Sequence, residues 1–376
     1  MNRRTALGIA GGMVVAGGVT AYSLSDTRSL VRGDRAATAR GDSPPRPGGR
    51  RDPVARRSGG DRPQHPAVVR SAARAVPLGR RQRRELRWLP AFDPGQRQTV
   101  LSIGAFLQNL EYAAGAFGYS CDWTLLATTN RDARVVEVRL TGAASTGGPE
   151  VEAIKTRRTV RSHYSGEVLS AADVQHLVGP DRELVRYLPA GGEACSSLNE
   201  QTVAANRRQA YRDPAQRELS DWVRFSSRDA ETHRDGLTTA GLDVGGAAGW
   251  VLRNRYGKAD VLGTAFRERG LDRVATRVAT SAGWFVIASA GDAVAALLDA
   301  GRRMQRLFLK VRARGIALHP MTQILEEPAT RQGLNPAVGI DGSIQFLLRT
   351  GHLKTYPPPV SLRRPVGWFL RAQVGS

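Results

Sequence analysis

Residues 291–323 read GDAVAALLDAGRRMQRLFLKVRARGIALHPMTQ, and this stretch decides the fold. Apolar or small residues recur at Val294, Leu297, Gly301, Met304, Phe308, Val311 and Gly315, in alternating steps of three and four. That spacing makes one face of a helix. Gly301 stands mid-helix, where glycine costs about 1 kcal/mol against alanine, so it predicts the close approach of another backbone. Gly315 predicts the helix end and a turn into Ile316-Ala317-Leu318-His319-Pro320-Met321.

An earlier stretch echoes this one. Gln108, Leu110 and Gly118 follow Gly104 at the same intervals at which Gln305, Leu307 and Gly315 follow Gly301. Asp93-Pro94-Gly95-Gln96-Arg97 is echoed by Asp213-Pro214-Ala215-Gln216-Arg217. The echoes are unevenly spaced, which excludes a solenoid. They predict two diverged copies of one unit, each with a central helix, packed as a dimer within one chain. A two-fold interface is self-complementary, so a glycine on both helices lets them cross closely.

The chain's 376 residues suffice for two domains or one large one. Its net charge of +21 points first to nucleic acid. The distribution argues against that partner. Residues 1–90 hold 19 arginines against 6 acidic residues, more than half of the surplus. Lysine occurs only at 155, 258, 310 and 354, a compositional bias rather than a pattern of phosphate contacts. No helix-turn-helix, RNA-binding or zinc-finger pattern accompanies the charge. Cys121 and Cys195 lack CxxC spacing, and the six histidines form no HExxH. GxSxG is absent, and Gly245-Gly246-Ala247-Ala248-Gly249 lacks GxGxxG spacing. Metallohydrolase, serine-hydrolase and dinucleotide-fold readings therefore lose their motifs, and no metal is expected.

Four stretches follow along the chain. In 1–25, Asn2-Arg3-Arg4-Thr5 precedes an acid-free, Gly-rich apolar run that resembles a twin-arginine export signal, cleaved after Ala21 or retained as an anchor; the alternative is an N-terminal helix of no export value on a cytoplasmic protein. Residues 26–86, rich in Arg, Pro and Gly, read as a disordered linker. Residues 87–150 are a first, shortened half, with a helix over 99–117 and strands over 121–127 and 135–140. That half is too short to bury a core alone and must lean on the second. Residues 151–376 are the second half, with helices over 170–178, 199–208 and 216–225. Its strands are expected over 184–188, 284–289 and 344–349, with mixed loop and short helix over 238–275 and an extended tail.

Three pieces bring a family into view: TRRTVRSHY at 156–164, GIALHPMTQILEEP at 315–328, and IQFLLRTG with PPPVSLRRP within 344–365. Together they resemble the nitroreductase superfamily, and more closely its tandem, single-chain branch, the Acg-type FMN-binding oxidoreductases. The resemblance covers about residues 87–370. It implies an α+β fold of mostly antiparallel sheets flanked by helices, two diverged units forming a pseudo-dimer, and FMN at their interface. It also implies NAD(P)H-dependent reduction of nitroaromatic or quinone-type acceptors, or, alternatively, a stress-related protein that holds flavin without turnover.

The FMN phosphate needs several fixed donors. Arg157, Thr159 and Arg161 alternate, so on an extended segment they share one face and make a clamp, with Arg158 turned away as second choice. Arg363 corresponds to the distal arginine that the family brings to the same phosphate, with Arg364 as the neighbouring alternative. Pro320 and Met321 lie where the family's loop packs on the flavin, and His319 either bonds flavin or substrate or serves the structure. One departure stands out. The family's early Asn-x-Gln-Pro-Trp flavin contact is missing, and Pro63-Gln64-His65-Pro66 lacks its Asn and Trp.

Overall fold

The computed structural model describes Asp26, residues 75–79 and residues 89–368 other than 163, 332, 333 and 335–337. Strand β1 (Ala75–Gly79) precedes helix α1 (Arg97–Ala116) and strands β2 (Tyr119–Leu125) and β3 (Arg134–Gly142). Helices α2 (Pro149–Thr156) and α3 (Ala171–Val178) lead to β4 (Val185–Pro189). Helices α4 (Glu193–Ala210), α5 (Asp213–Trp222), α6 (Ser227–His233), α7 (Gly246–Arg255) and α8 (Thr264–Ala279) follow. A short parallel pair, β5 (Val223–Arg224) and β6 (Leu237–Thr238), lies among them. The chain then runs through β7 (Gly283–Ser289), α9 (Val294–Lys310), β8 (Ile316–Pro320) and β9 (Ser343–His352).

The larger sheets share a plan. Strand, helix, strand, strand gives the order β1-β3-β2 in the first sheet and β7-β9-β8 in the second, every pairing antiparallel. Strand β4 extends the second sheet beyond β7. Each helix ends on a left-handed glycine that opens the next strand, Gly118 at φ +80° and Gly315 at φ +64°.

Helices α1 and α9 cross backbone to backbone. A Cβ on Gly104 would lie 2.1 Å from the Leu298 carbonyl oxygen, and one on Gly301 would lie 2.0 Å from that of Leu101. Each glycine thus meets the residue three positions before the other. Polar contacts repeat the reciprocity: Gln305 Nε2 donates to Asn109 Oδ1 at 2.8 Å, and Arg306 Nη1 donates to Gln108 Oε1 at 3.1 Å. Each of these contacts on one helix thus has its counterpart on the other. Around the crossing, Val100, Leu101 and Leu107 share one buried cluster with Val135, Val136 and Val138 of β3 and Val294, Leu297 and Leu298 of α9. The short first half leans on the second for its core, as its length requires.

Several expectations are corrected. Ala75–Gly79, within the stretch read as linker, is a strand paired with β3. Pro77 marked it as linker, yet β1 is an edge strand, where the missing N–H is tolerated. Asp213-Pro214-Ala215-Gln216-Arg217 opens α5, outside the strand–helix–strand–strand runs, so the second echo does not belong with the first. The helix expected over 216–225 begins at Asp213 and yields to β5 at Val223. Residues 238–275, read as mixed, hold α7 and most of α8. Residues 1–25, and the linker apart from Asp26 and 75–79, lie outside the described residues.

Gly104→Ala or Gly301→Ala should each cost about 3 kcal/mol or more in denaturant unfolding, because the colliding atom is backbone and no rotamer relieves it. Gly270→Ala, on the exposed face of α8 with nothing within 4 Å of the new Cβ, should instead gain about 0.5–1 kcal/mol.

Candidate functional site

Leaving α2, the chain becomes extended at Arg157, with φ −55° and ψ 135°. This run carries Arg157, Arg158, Thr159 and Arg161 past the loop 240–243. Arg157 places its guanidinium carbon 4.8 Å from the centre of the Phe308 ring on α9. Arg158 turns the other way and is buried. It donates to the Pro358 carbonyl at 2.8 Å and to the Ala240 carbonyl at 3.3 Å, and pairs with Asp243. Thr159 is half-buried between them. Arg161 donates its main-chain N–H to Asp243 and its guanidinium to the Gly241 carbonyl at 2.7 Å.

Asp243 is the hinge of this arrangement. Its backbone is left-handed at φ 57°, a conformation that Asp tolerates better than most residues. Its carboxylate takes Arg158, the Arg161 N–H and the Ser162 N–H, the last at 2.9 Å. Asp243 had no place in the predicted site. Its one signal was its position just before Gly245-Gly246, on a loop tight enough to need unusual dihedrals.

Beyond Arg161 lies a group of cations that the residue patterns did not single out. Arg349, fully buried in β9, stacks 3.9 Å above the Tyr164 ring. It donates to the Ser162 carbonyl at 2.8 Å and to the Arg277 carbonyl. Arg277 on α8 donates to the Leu242 carbonyl at 3.2 Å. Directly across the β8–β9 ladder from Arg349 is His319, so the two share a face of the sheet. His319 is buried, and its Nδ1 has no hydrogen-bond partner; neither has Arg349 Nε. Burial, then the charges of Arg161, Arg349 and Arg277, hold the His319 imidazole well below its ordinary 6.5. Burial first, then the charges of Arg349, Arg161 and Arg273, bring the Arg277 guanidinium down to about 10. Tyr164 is raised to about 12 by burial. Arg349 was hidden in IQFLLR, where the apolar neighbours pointed to a buried strand and made its charge easy to pass over.

The other predicted residues go elsewhere. Met321 is core, packed among Leu188, Leu198, Trp284, Leu325 and Leu347, so its side chain is not offered to a flavin ring. Pro320 ends β8, partly exposed. Arg363 donates to the carbonyls of Ser361 and Leu362, and its own carbonyl accepts from Arg234 at 3.4 Å. Arg364 pairs with Asp235, which Arg224 also engages at 2.8 Å. The tail arginines therefore attach at the Asp235 end of the 234–243 segment, and Arg161 attaches at its Asp243 end. Sequence order alone could not separate these two corners.

No family model matches the chain, and no curated protein matches it. Solved structures do resemble it over part of its length. An FMN-dependent nitroreductase, NfnB, from Mycobacterium smegmatis, in complex with NADPH, is 16% identical, with a TM-score of 0.35, covering 55% of this chain and 88% of that one. A nitroreductase with bound FMN from Desulfitobacterium hafniense is 14% identical, TM-score 0.32, covering 56% and 93%. The NADPH:FMN oxidoreductase of Vibrio harveyi, complexed with NAD+, is 10% identical, TM-score 0.33, covering 61% and 79%.

The neutral, buried His319 makes stability depend on acid. Below about pH 6.5 the unfolded chain binds a proton that the folded chain refuses, so stability falls as pH falls. Stability should therefore fall measurably between pH 7 and pH 5. His319→Gln should lose less over the same range in urea unfolding, whereas parallel pH profiles would show that the imidazole titrates normally.

Proposed function

We propose that this chain is an FMN-binding oxidoreductase of nitroreductase type. NAD(P)H is its electron donor, and a nitroaromatic or quinone-type compound its acceptor. The observation that carries this reading is the reciprocal α1–α9 crossing between two runs of the same strand order. It supports the paired, single-chain arrangement that the Acg-type resemblance implies. We read the runs as diverged copies that form a pseudo-dimer within a monomer.

The residues around Arg161 fit an anionic cofactor. Guanidiniums outnumber carboxylates there, and His319 Nδ1 and Arg349 Nε are buried polar atoms without partners. Arg157, Thr159 and Arg161 would hold FMN from the extended run, and Pro320 ends β8 one residue after His319. Bound FMN supplies the two-electron chemistry; the chain binds and orients it. The chain should purify yellow, with an FMN absorption spectrum, and oxidise NADPH steadily when a quinone is present. Replacing Arg157 and Arg161 together by Ala should strip most of the flavin. A colourless protein that takes up no added FMN would end this reading.

A second reading, flavin held without turnover, is supported by the burial of Met321 and by the missing Asn-x-Gln-Pro-Trp stretch. Flavin content without NADPH oxidation would select it.

Export through the twin-arginine machinery is part of the proposal. Supporting it, Asp26, just past the signal-like segment, is fastened to the folded body. Its carboxylate accepts from the Ser227 hydroxyl at 2.8 Å, and its carbonyl accepts from Arg253 at 2.9 Å and Asn254 at 3.1 Å. A route that carries folded proteins suits a leader whose exit point is held by the fold. Replacing Arg3 and Arg4 by Lys should leave the protein in the cytoplasm, and unchanged fractionation would contradict export.

A further inference from the structure

We propose that the groove between helix α3 and strand β4 is a docking site for an extended segment of another protein. That segment alternates apolar with acidic residues and joins the second sheet as a strand beside β4.

The edge of the sheet is the first support. Strand β4 ends its sheet, with β7 on one side and no strand on the other among the described residues. Ala190 donates to the Ala282 carbonyl at 2.9 Å, and Ala288 donates to the Leu184 carbonyl at 2.8 Å. The even-numbered residues along β4 therefore face β7. Val185 and Tyr187 turn their N–H and C=O groups outward, and among the described residues nothing bonds these four groups. An edge in this state is a template for another strand.

The groove is the second. It encloses about 790 Å³ alongside that edge. Residues 171, 174, 175 and 178 of α3 line it at the spacing of one helical face. Val185 and Tyr187 line it from the strand. Val178 and Val185 belong to the buried cluster beneath, whereas Val174 and Tyr187 are only partly buried and Val168 is 45% exposed. The Tyr187 hydroxyl is already satisfied, because it donates to the Ala282 carbonyl at 2.7 Å and accepts from the Leu169 N–H at 3.1 Å. The ring is thus a fixed apolar wall. A strand laid about 4.8 Å outside β4 would offer every second side chain to these apolar residues.

Charge selects the occupant. The charged side chains that line the groove are Arg182 and Arg186. Arg186 donates to the Gly339 carbonyl. Arg182 is exposed and, among the described residues, makes no ion pair or hydrogen bond. On a chain of net charge +21, such a rim attracts carboxylates. A second copy of the chain fits worse. Antiparallel pairing of two β4 strands about Tyr187 sets Val185 opposite Pro189, which has no N–H to give, and gathers four arginines along one seam.

The test is fluorescence anisotropy of the full chain with a fluorescein-labelled peptide of alternating valine and glutamate, about eight residues long. The peptide should bind, and its lysine counterpart should bind at least about tenfold more weakly. A form methylated on every backbone nitrogen should also lose about tenfold or more, because it cannot donate to β4. Arg182→Glu should weaken binding about fivefold, and Val168→Glu about tenfold. Both positions are exposed, and thermal melts establish that each variant folds. Arg134→Glu, the same change of charge on the first sheet, should leave affinity within about twofold. No binding of the glutamate peptide overturns the proposal, as does equal binding of the methylated form or equal weakening by Arg134→Glu. Sedimentation of the chain alone examines the other occupant. Dimers that Val168→Glu dissolves, with no peptide binding, would assign the groove to a second copy and overturn the proposal.

Discussion

Everything in this structure is arranged around two helices that touch without side chains between them. Gly104 and Gly301 each abut a carbonyl oxygen of the opposite helix at a distance that no Cβ would survive. Since the contact is reciprocal, neither helix can shift without disturbing both glycine contacts. The shared core of α1, β3 and α9 closes around that point. The first sheet lacks a core of its own, so its stability is borrowed through this crossing. The organisation of the chain follows from a packing constraint that only glycine meets.

The second organising feature is electrostatic. Arginine is so abundant that its mere presence says little, and the structure sorts the arginines by what surrounds them. Some lie over rings, as Arg157 does over Phe308 and Arg312 over Tyr356. Others pair with acids on the surface, where they contribute little. Arg161, Arg277 and Arg349 differ, because burial gathers them around one carboxylate that a fourth arginine already uses.

The fold was more legible in the sequence than the site. Alternating steps of three and four exposed α9, and repeated intervals from Gly104 and Gly301 exposed its partner, because helix geometry writes a period into the residues. The buried strands WFVIAS and IQFLLR were equally plain. β1 escaped because Pro77 and its Arg-rich surroundings imitate a linker. At the site, the alternation of Arg157, Thr159 and Arg161 identified the segment but not its partners. Asp243 and Arg277 come from distant loops and helices, and only tertiary folding sets them beside Arg161. Met321 was assigned to a ligand surface because Met serves both surfaces and cores, and only burial decides between them.

The close crossing is tested most directly by a double-mutant cycle between Gly104→Ala and Gly301→Ala, read as unfolding free energies. Both clashes arise at one contact, so a single separation of the helices relieves both. The double variant should lose clearly less than the two single losses combined, with a coupling of about 1 kcal/mol or more. Strict additivity, as remote sites give, would mean that the two glycines do not meet at a common crossing.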